Sequence, residues 1–135
     1  MTRYLLDSGI ASDMVNRRHG VYEKALEAFQ RRDILGIGTP VWGELRAGVE
    51  NSSSRERNLS KLIHGVRRLR FWPYDKTAAE EYGRLFAQLR RRGRPMQQID
   101  IQIAAIALTI GNCVVVSKDS DLKAIPGLDV EDWSA

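Results

Sequence analysis

The stretch QQIDIQIAAIAL, residues 97–108, decides how the rest of the chain is read. From Ile99 to Ile110 only Asp100, Gln102 and Thr109 interrupt an apolar run, which stops at Gly111. Such a run ended by glycine reads as a helix with a Gly C-cap. A helix apolar on nearly every side is a buried one. A carboxylate that opens a buried helix must be paired, protonated or bound to a metal. Beyond the glycine, Cys113–Val116 reads as a strand, and Val130 in the tail as an edge strand.

Working back from Asp100, Gly93 and Pro95 break a long helix that Asp75 can cap and that runs to Arg92. Arg70-Phe71-Trp72 is a short strand stopped by Pro73, preceded by a helix over about 55–65 and a loop at Ser52-Ser53-Ser54. Thr39-Pro40 reads as an N-cap followed by proline at the first helical position, and that helix ends near Asn51. Ile34–Gly38 and Arg3–Leu6 are strands. Between them lie a weak helix near 10–17 and an apolar helical stripe from Val21 to Arg32. Strands alternating with helices predict an α/β fold with a mainly parallel central sheet and helices on both faces.

The chain has 135 residues, 43% of them apolar and 28% charged, which is ordinary for one globular domain, 1–135, with a proper core. The single cysteine, Cys113, lies in the apolar run CVVV and reads as a core thiol. With no disulfide framework, a reducing, cytoplasmic location is expected. The first residues, MTRYLLDSGI, lack a signal-peptide core, and no apolar stretch is long enough to span a bilayer.

The formal net charge is +4. The positive charge is grouped at Arg17-Arg18, Arg31-Arg32, Arg67-Arg68 with Arg70, and Arg90-Arg91-Arg92 with Arg94. Arginine suits bidentate phosphate contact, so a polyanion partner is one reading. The plainer one is a solvated surface with basic helix ends favoured by the dipole.

In open α/β sheets, ligands bind beyond the carboxyl ends of the strands. Asp7 directly follows Tyr4-Leu5-Leu6, Asp119 follows Cys113–Val116, and Glu44 lies about one turn into the helix after Ile34–Gly38. Asp100 joins them if its helix, which follows another helix, starts at the same edge. Each acid has a plain alternative. Asp7 could be a turn or cap residue, Glu44 an exposed helix residue, Asp100 a first-turn acid facing the dipole, and Asp119 and Asp121 loop acids. One arrangement would account for all of them. Carboxylates with open positions suit Mg²⁺ or Mn²⁺, hard cations that keep several waters and serve phosphate chemistry. Acids at the centre with arginines around them fit a nuclease better than a simple binding protein.

YLLDS, PVWGELRAG, QQIDIQIAAIAL and VVVSKDSDLKAIPGLDVEDW stand in the order seen in PIN domains. The sequence most resembles the VapC-type toxins of bacterial toxin–antitoxin pairs, over nearly its whole length. That resemblance implies a three-layer α/β/α PIN-like domain, Mg²⁺- or Mn²⁺-dependent endoribonuclease activity on RNA, a homodimer and a cognate VapB-type antitoxin. It assigns the three principal acids to Asp7, Glu44 and Asp100, and the more variable fourth to Asp119. Ser8 and Ser117 fall on supporting hydroxyl positions. Two features depart from the pattern: Gly9 stands where relatives often have Asn, and Asp121 could share or replace the role of Asp119.

His19 and His64 lie outside any metal-ligand pattern and read as surface residues. Trp42 and Trp72 read as core residues, and Trp133 as a cover on the core edge. Arg46 would point away from Glu44, because positions two apart do not share a helix face. An aspartyl-nucleophile phosphate hydrolase would need an acid where Gly9 stands. A receiver-like module would need an acceptor Asp after the strand Ile34–Gly38, which has none. A non-catalytic RNA-binding or interaction module would leave Asp100 unexplained.

Overall fold

In the computed structural model, which describes residues 1–134, Tyr4, Leu5 and Leu6 are buried in succession. Consecutive buried residues on a strand require cover on both faces of the sheet. This strand, β1 (Arg3–Leu6), is central. It pairs with β2 (Ile34–Gly38) on one side and β4 (Cys113–Val116) on the other. β3 (Arg70–Trp72) and β5 (Asp129–Glu131) form the edges, in the order β3-β2-β1-β4-β5, and all four pairings are parallel. Val130 therefore lies in an edge strand, as expected.

Parallel neighbours need crossovers. A pair of helices supplies each of the first three: α1 (Ser8–Asn16) with α2 (Val21–Gln30), α3 (Thr39–Glu50) with α4 (Arg55–Gly65), and α5 (Lys76–Arg91) with α6 (Gln98–Ile110). A 3₁₀ turn, Ser120–Ala124, links β4 to β5. In α6, Ile101, Ile103, Ala104, Ala105, Ile106 and Ala107 are buried, so the helix read as apolar on nearly every side is a core helix. Gly111 ends it with φ 73°, a conformation that favours glycine. Gly36 has a different task. A β-carbon there would fall 2.6 Å from the Trp72 ring and 2.5 Å from the Arg70 carbonyl oxygen, so β2 and β3 approach only because it is absent.

Two helix starts differ from the sequence expectation. The first helix begins at Ser8 rather than near residue 10, because Asp7 caps it. The third is capped by Gly38, with Thr39 already helical. The Thr39 hydroxyl instead accepts a hydrogen bond from the Tyr74 amide at 3.0 Å, a tertiary contact that competes with capping. Asp75 does cap α5, accepting from the Ala78 amide at 3.0 Å. Trp133 is buried, packs on Tyr4 at 5.0 Å between ring centroids, and donates from Nε1 to Glu131 at 3.0 Å. Cys113 is buried, and burial pushes its thiol up to about 11. Among the described residues no helix is long and apolar enough to cross a membrane.

Candidate active site

Asp7 is held from two directions. Its amide donates to the Val116 carbonyl at 3.1 Å, joining the ends of β1 and β4. Its Oδ1 accepts from the Ile10 amide at 2.8 Å, capping α1. Burial raises its carboxyl above the usual value, and the Asp119 charge adds to this. Hydrogen bonds from the Ser117 hydroxyl and the Ile10 amide oppose the rise without cancelling it.

Asp100 sits in the first turn of α6, half-buried. Burial is the main reason its carboxyl is pushed up to about 6, followed by repulsion from Asp119, Asp7, Glu44 and Asp121. One side chain thus senses acids from the start of α1, from α3 and from the segment after β4. All lie at the carboxyl edge of the parallel sheet, where ligands of such folds bind. The second helix of the third crossover does begin at this edge.

The remaining residues fall around that pair. Glu44 is exposed on α3. The Asp119 amide donates to the Ser117 hydroxyl at 2.9 Å, and its Oδ1 accepts from the Asp121 amide at 2.9 Å. Asp119 acts on Asp100 more strongly than Asp121 does. Asp121 is exposed, with Arg94 Nη2 3.8 Å from its Oδ1. Ser117 is buried and its hydroxyl serves both Asp7 and Asp119. Ser8 opens α1, and no contact ties its hydroxyl to the acids among the described residues. At Gly9 a β-carbon would lie 3.8 Å from Asp7 Oδ1, so any side chain there would stand beside that carboxylate.

The donor chemistry of this group, oxygen acids at one edge with Asp7 and Asp100 partly desolvated, fits a hard divalent cation. The spacing is open: among the described residues no three His, Cys, Asp or Glu side chains form a closed ligand group.

Sequence reading missed Asp13. It is buried, and its Oδ2 meets Lys118 Nζ at 2.8 Å and His19 Nδ1 at 3.1 Å. Burial alone would raise this carboxyl, but the bonds from Lys118 and His19 prevail and hold it below the usual range. The contact joins α1 to the segment bearing Asp119. Nothing local to Asp13, Lys118 or His19 announces it. Trp42 is half-buried against Phe71 at 5.1 Å, and Arg46 lies along its own helix toward Glu50 at 3.4 Å, so neither joins the acids. His64 is exposed on α4 and also stands apart.

The PIN domain family model matches residues 4–128. The chain is 29% identical over 130 residues to Ribonuclease VapC2 of Rickettsia felis, covering 96% of this chain and 97% of that protein. It is 30% identical over 134 residues to the tRNA(fMet)-specific endonuclease VapC of Shigella flexneri, covering 99% and 100%. The crystal structure of VapBC2 from Rickettsia felis, bound to a DNA fragment from its promoter, contains a chain that superposes with a TM-score of 0.89 at 28% identity, over 98% of this chain and 99% of that one. The chain belongs to the PIN domain family, and within it to the VapC group.

Proposed function

We propose that this protein is the toxin of a toxin–antitoxin pair and cleaves RNA phosphodiester bonds with a Mg²⁺ or Mn²⁺ held by Asp7, Glu44, Asp100 and Asp119. The observation that carries this is the gathering of acids at the carboxyl edge of the sheet, where the half-buried Asp100 opens α6 within reach of the charges of Asp119, Asp7 and Glu44. An acid cluster at the ligand-binding edge of a basic protein calls for a cation between it and a polyanion. When bound, such a cation orients the scissile phosphate, makes water a better nucleophile and offsets charge on the leaving oxygen.

The chain's own residues prepare the rest. The Ile10 amide fixes Asp7, the Ser117 hydroxyl lowers its carboxyl pKa, and Asp119 is held by its own turn. Arg94, next to Asp121, ends a run of arginines that leads from α5 to α6. That run can hold RNA phosphates beside the acids. We assign the activity to the cytoplasm, where such a substrate is found.

An aspartyl-nucleophile hydrolase is disfavoured, because Gly9 supplies no second acid two residues after Asp7. A purely RNA-binding module would leave the repulsion at Asp100 with no function.

The relatives' names also bear on partners, since the Rickettsia felis structure is of a VapBC2 assembly on promoter DNA. For this chain a VapB-type antitoxin follows by analogy, and we extend the reading to a homodimer from the family resemblance alone. A groove of about 550 Å³ between α1, α2 and α4 offers Tyr22, Leu26 and Phe29 with Arg17, Arg57 and Arg68, which suits an amphipathic acidic segment of that antitoxin. Purified protein should cut single-stranded or loop regions of RNA, where phosphates and base edges are accessible, with Mg²⁺ or Mn²⁺. Chelator should stop it. Cleavage unaffected by chelator would refute the metal assignment, and no cleavage under any condition would refute the nuclease.

A further inference from the structure

A polar cleft of about 380 Å³ opens between α1, α3 and α4, with Glu44 in its wall. Glu44 belongs to the carboxylates as well: it acts on Asp100. Gly48, one turn further along α3, lines the cleft too. A β-carbon at Gly48 would meet nothing within 4 Å. A helix interior usually avoids glycine at a cost of about 1 kcal/mol relative to alanine, and here the missing side chain leaves the cleft open.

The walls carry recognition chemistry of three kinds. Arg18 and Lys61 bring positive charge. Asn16 and Asn58 bring amides. The Asn16 Nδ2 is committed to the Ser12 carbonyl at 2.9 Å and hydroxyl at 3.3 Å, which leaves its Oδ1 as an acceptor. Val15 and Leu45 add apolar surface. A phosphate alone needs neither amides nor apolar walls. A nucleotide needs all three: cations for phosphate, amides for base edges, and apolar surface for the flat face of the base.

We propose that this cleft seats the base and ribose of the RNA nucleotide adjoining the phosphate at the carboxylates. It is thus a specificity subsite, with Asn16 and Asn58 as the residues that read the base. The inference rests on the nuclease reading for the identity of its ligand, but not for its test.

The full-length protein, ¹⁵N-labelled and kept in chelator, is titrated with the four ribonucleoside 5′-monophosphates and separately with inorganic phosphate. Backbone amides of Ser12, Asn16, Gly48 and Asn58 should shift saturably with at least one nucleotide, at concentrations where inorganic phosphate shifts them less. Asn58→Ala should weaken that nucleotide by about tenfold, the size of one lost hydrogen bond. Gly48→Leu, which fills the cleft from a position with free space, should abolish the shifts while melting no lower than wild type. In cleavage of a randomised single-stranded RNA, both variants should relax the base preference at one position beside the cut. Equal shifts with phosphate alone, or shifts confined to other surfaces, overturn the proposal. It is equally overturned if a co-expressed antitoxin protects these amides while nucleotides leave them unmoved, since the cleft would then be the partner's seat. Nucleotide binding here by a protein that cuts no RNA would refute the nuclease and leave the subsite standing. RNA cleavage with unchanged base preference in Gly48→Leu would refute the subsite and leave the nuclease.

Discussion

Lys118 Nζ stands 2.8 Å from Oδ2 of the buried Asp13. Lys118 lies between Ser117, whose hydroxyl supports Asp7, and Asp119. Asp13 lies on α1, the helix that Asp7 caps. One ion pair therefore ties the helix that Asp7 caps to the segment that carries Asp119, although neither of its members belongs to the proposed metal site.

Asp13→Asn should break this tie. The charge-assisted bonds to the half-exposed Lys118 and His19 together contribute about 2 kcal/mol, so thermal melting at neutral pH should fall by roughly 8 °C for a domain of this size. The Asp13 carboxyl is held below its ordinary 3.8 in the folded state. Its contribution is therefore present above that value and lost as pH falls through the folded one. The gap between wild type and variant should close in acid below about pH 4. A variant that melts with wild type at pH 7 would show that the tie is dispensable.

Asp100 and Asp7 titrate the other way. Both carboxyls are raised in the folded state, Asp100 to about 6, mainly by burial. The folded protein holds these protons more tightly than the unfolded chain. This stabilisation is fully present below the unfolded value and is lost as pH rises through the folded one. In chelator, wild type should lose stability between about pH 4 and pH 6.5 from this source, and Asp100→Asn should lose less. At pH 7.5 the variant should melt higher, by on the order of 1 kcal/mol once solvent screening of a half-exposed group is allowed for. Loss of a first-turn charge that favours the helix dipole works against this gain. Melting curves across pH check the sign, and a gap that does not widen with pH would contradict it.

Saturating Mn²⁺ should raise the melting point of the wild type through binding to the folded state. It should raise that of Asp100→Asn less. Capping and dipole effects need no cation, so the difference between the two shifts isolates the carboxylate group. Equal shifts would remove Asp100 from the cation site.

The elements legible in the sequence were those with local causes. The apolar run 99–110 ended by Gly111 could only be a buried helix, and Asp75 had no competing partner for its cap. Thr39 shows the limit. Its composition reads as a cap, but a bond from Tyr74, 35 residues away, takes the hydroxyl. The site behaves likewise. Asp7 and Asp119 could be singled out as candidates because each follows a strand, Asp100 because it opens a buried helix, and Glu44 because it lies about one turn into the helix after β2. Asp13 and the Asn16–Asn58 cleft were not, because their meaning arises only where α1 meets α4 or the segment after β4.

The most direct measurement compares wild type, Asp7→Asn and Asp100→Asn on one structured RNA with Mg²⁺ or Mn²⁺, with folding verified by melting. Both variants should remain folded and lose at least about two orders of magnitude of cleavage, the effect expected when charge-stabilising groups at a reacting centre are removed. Two folded variants cutting at the wild-type rate would contradict the assignment of these carboxylates as the reaction centre.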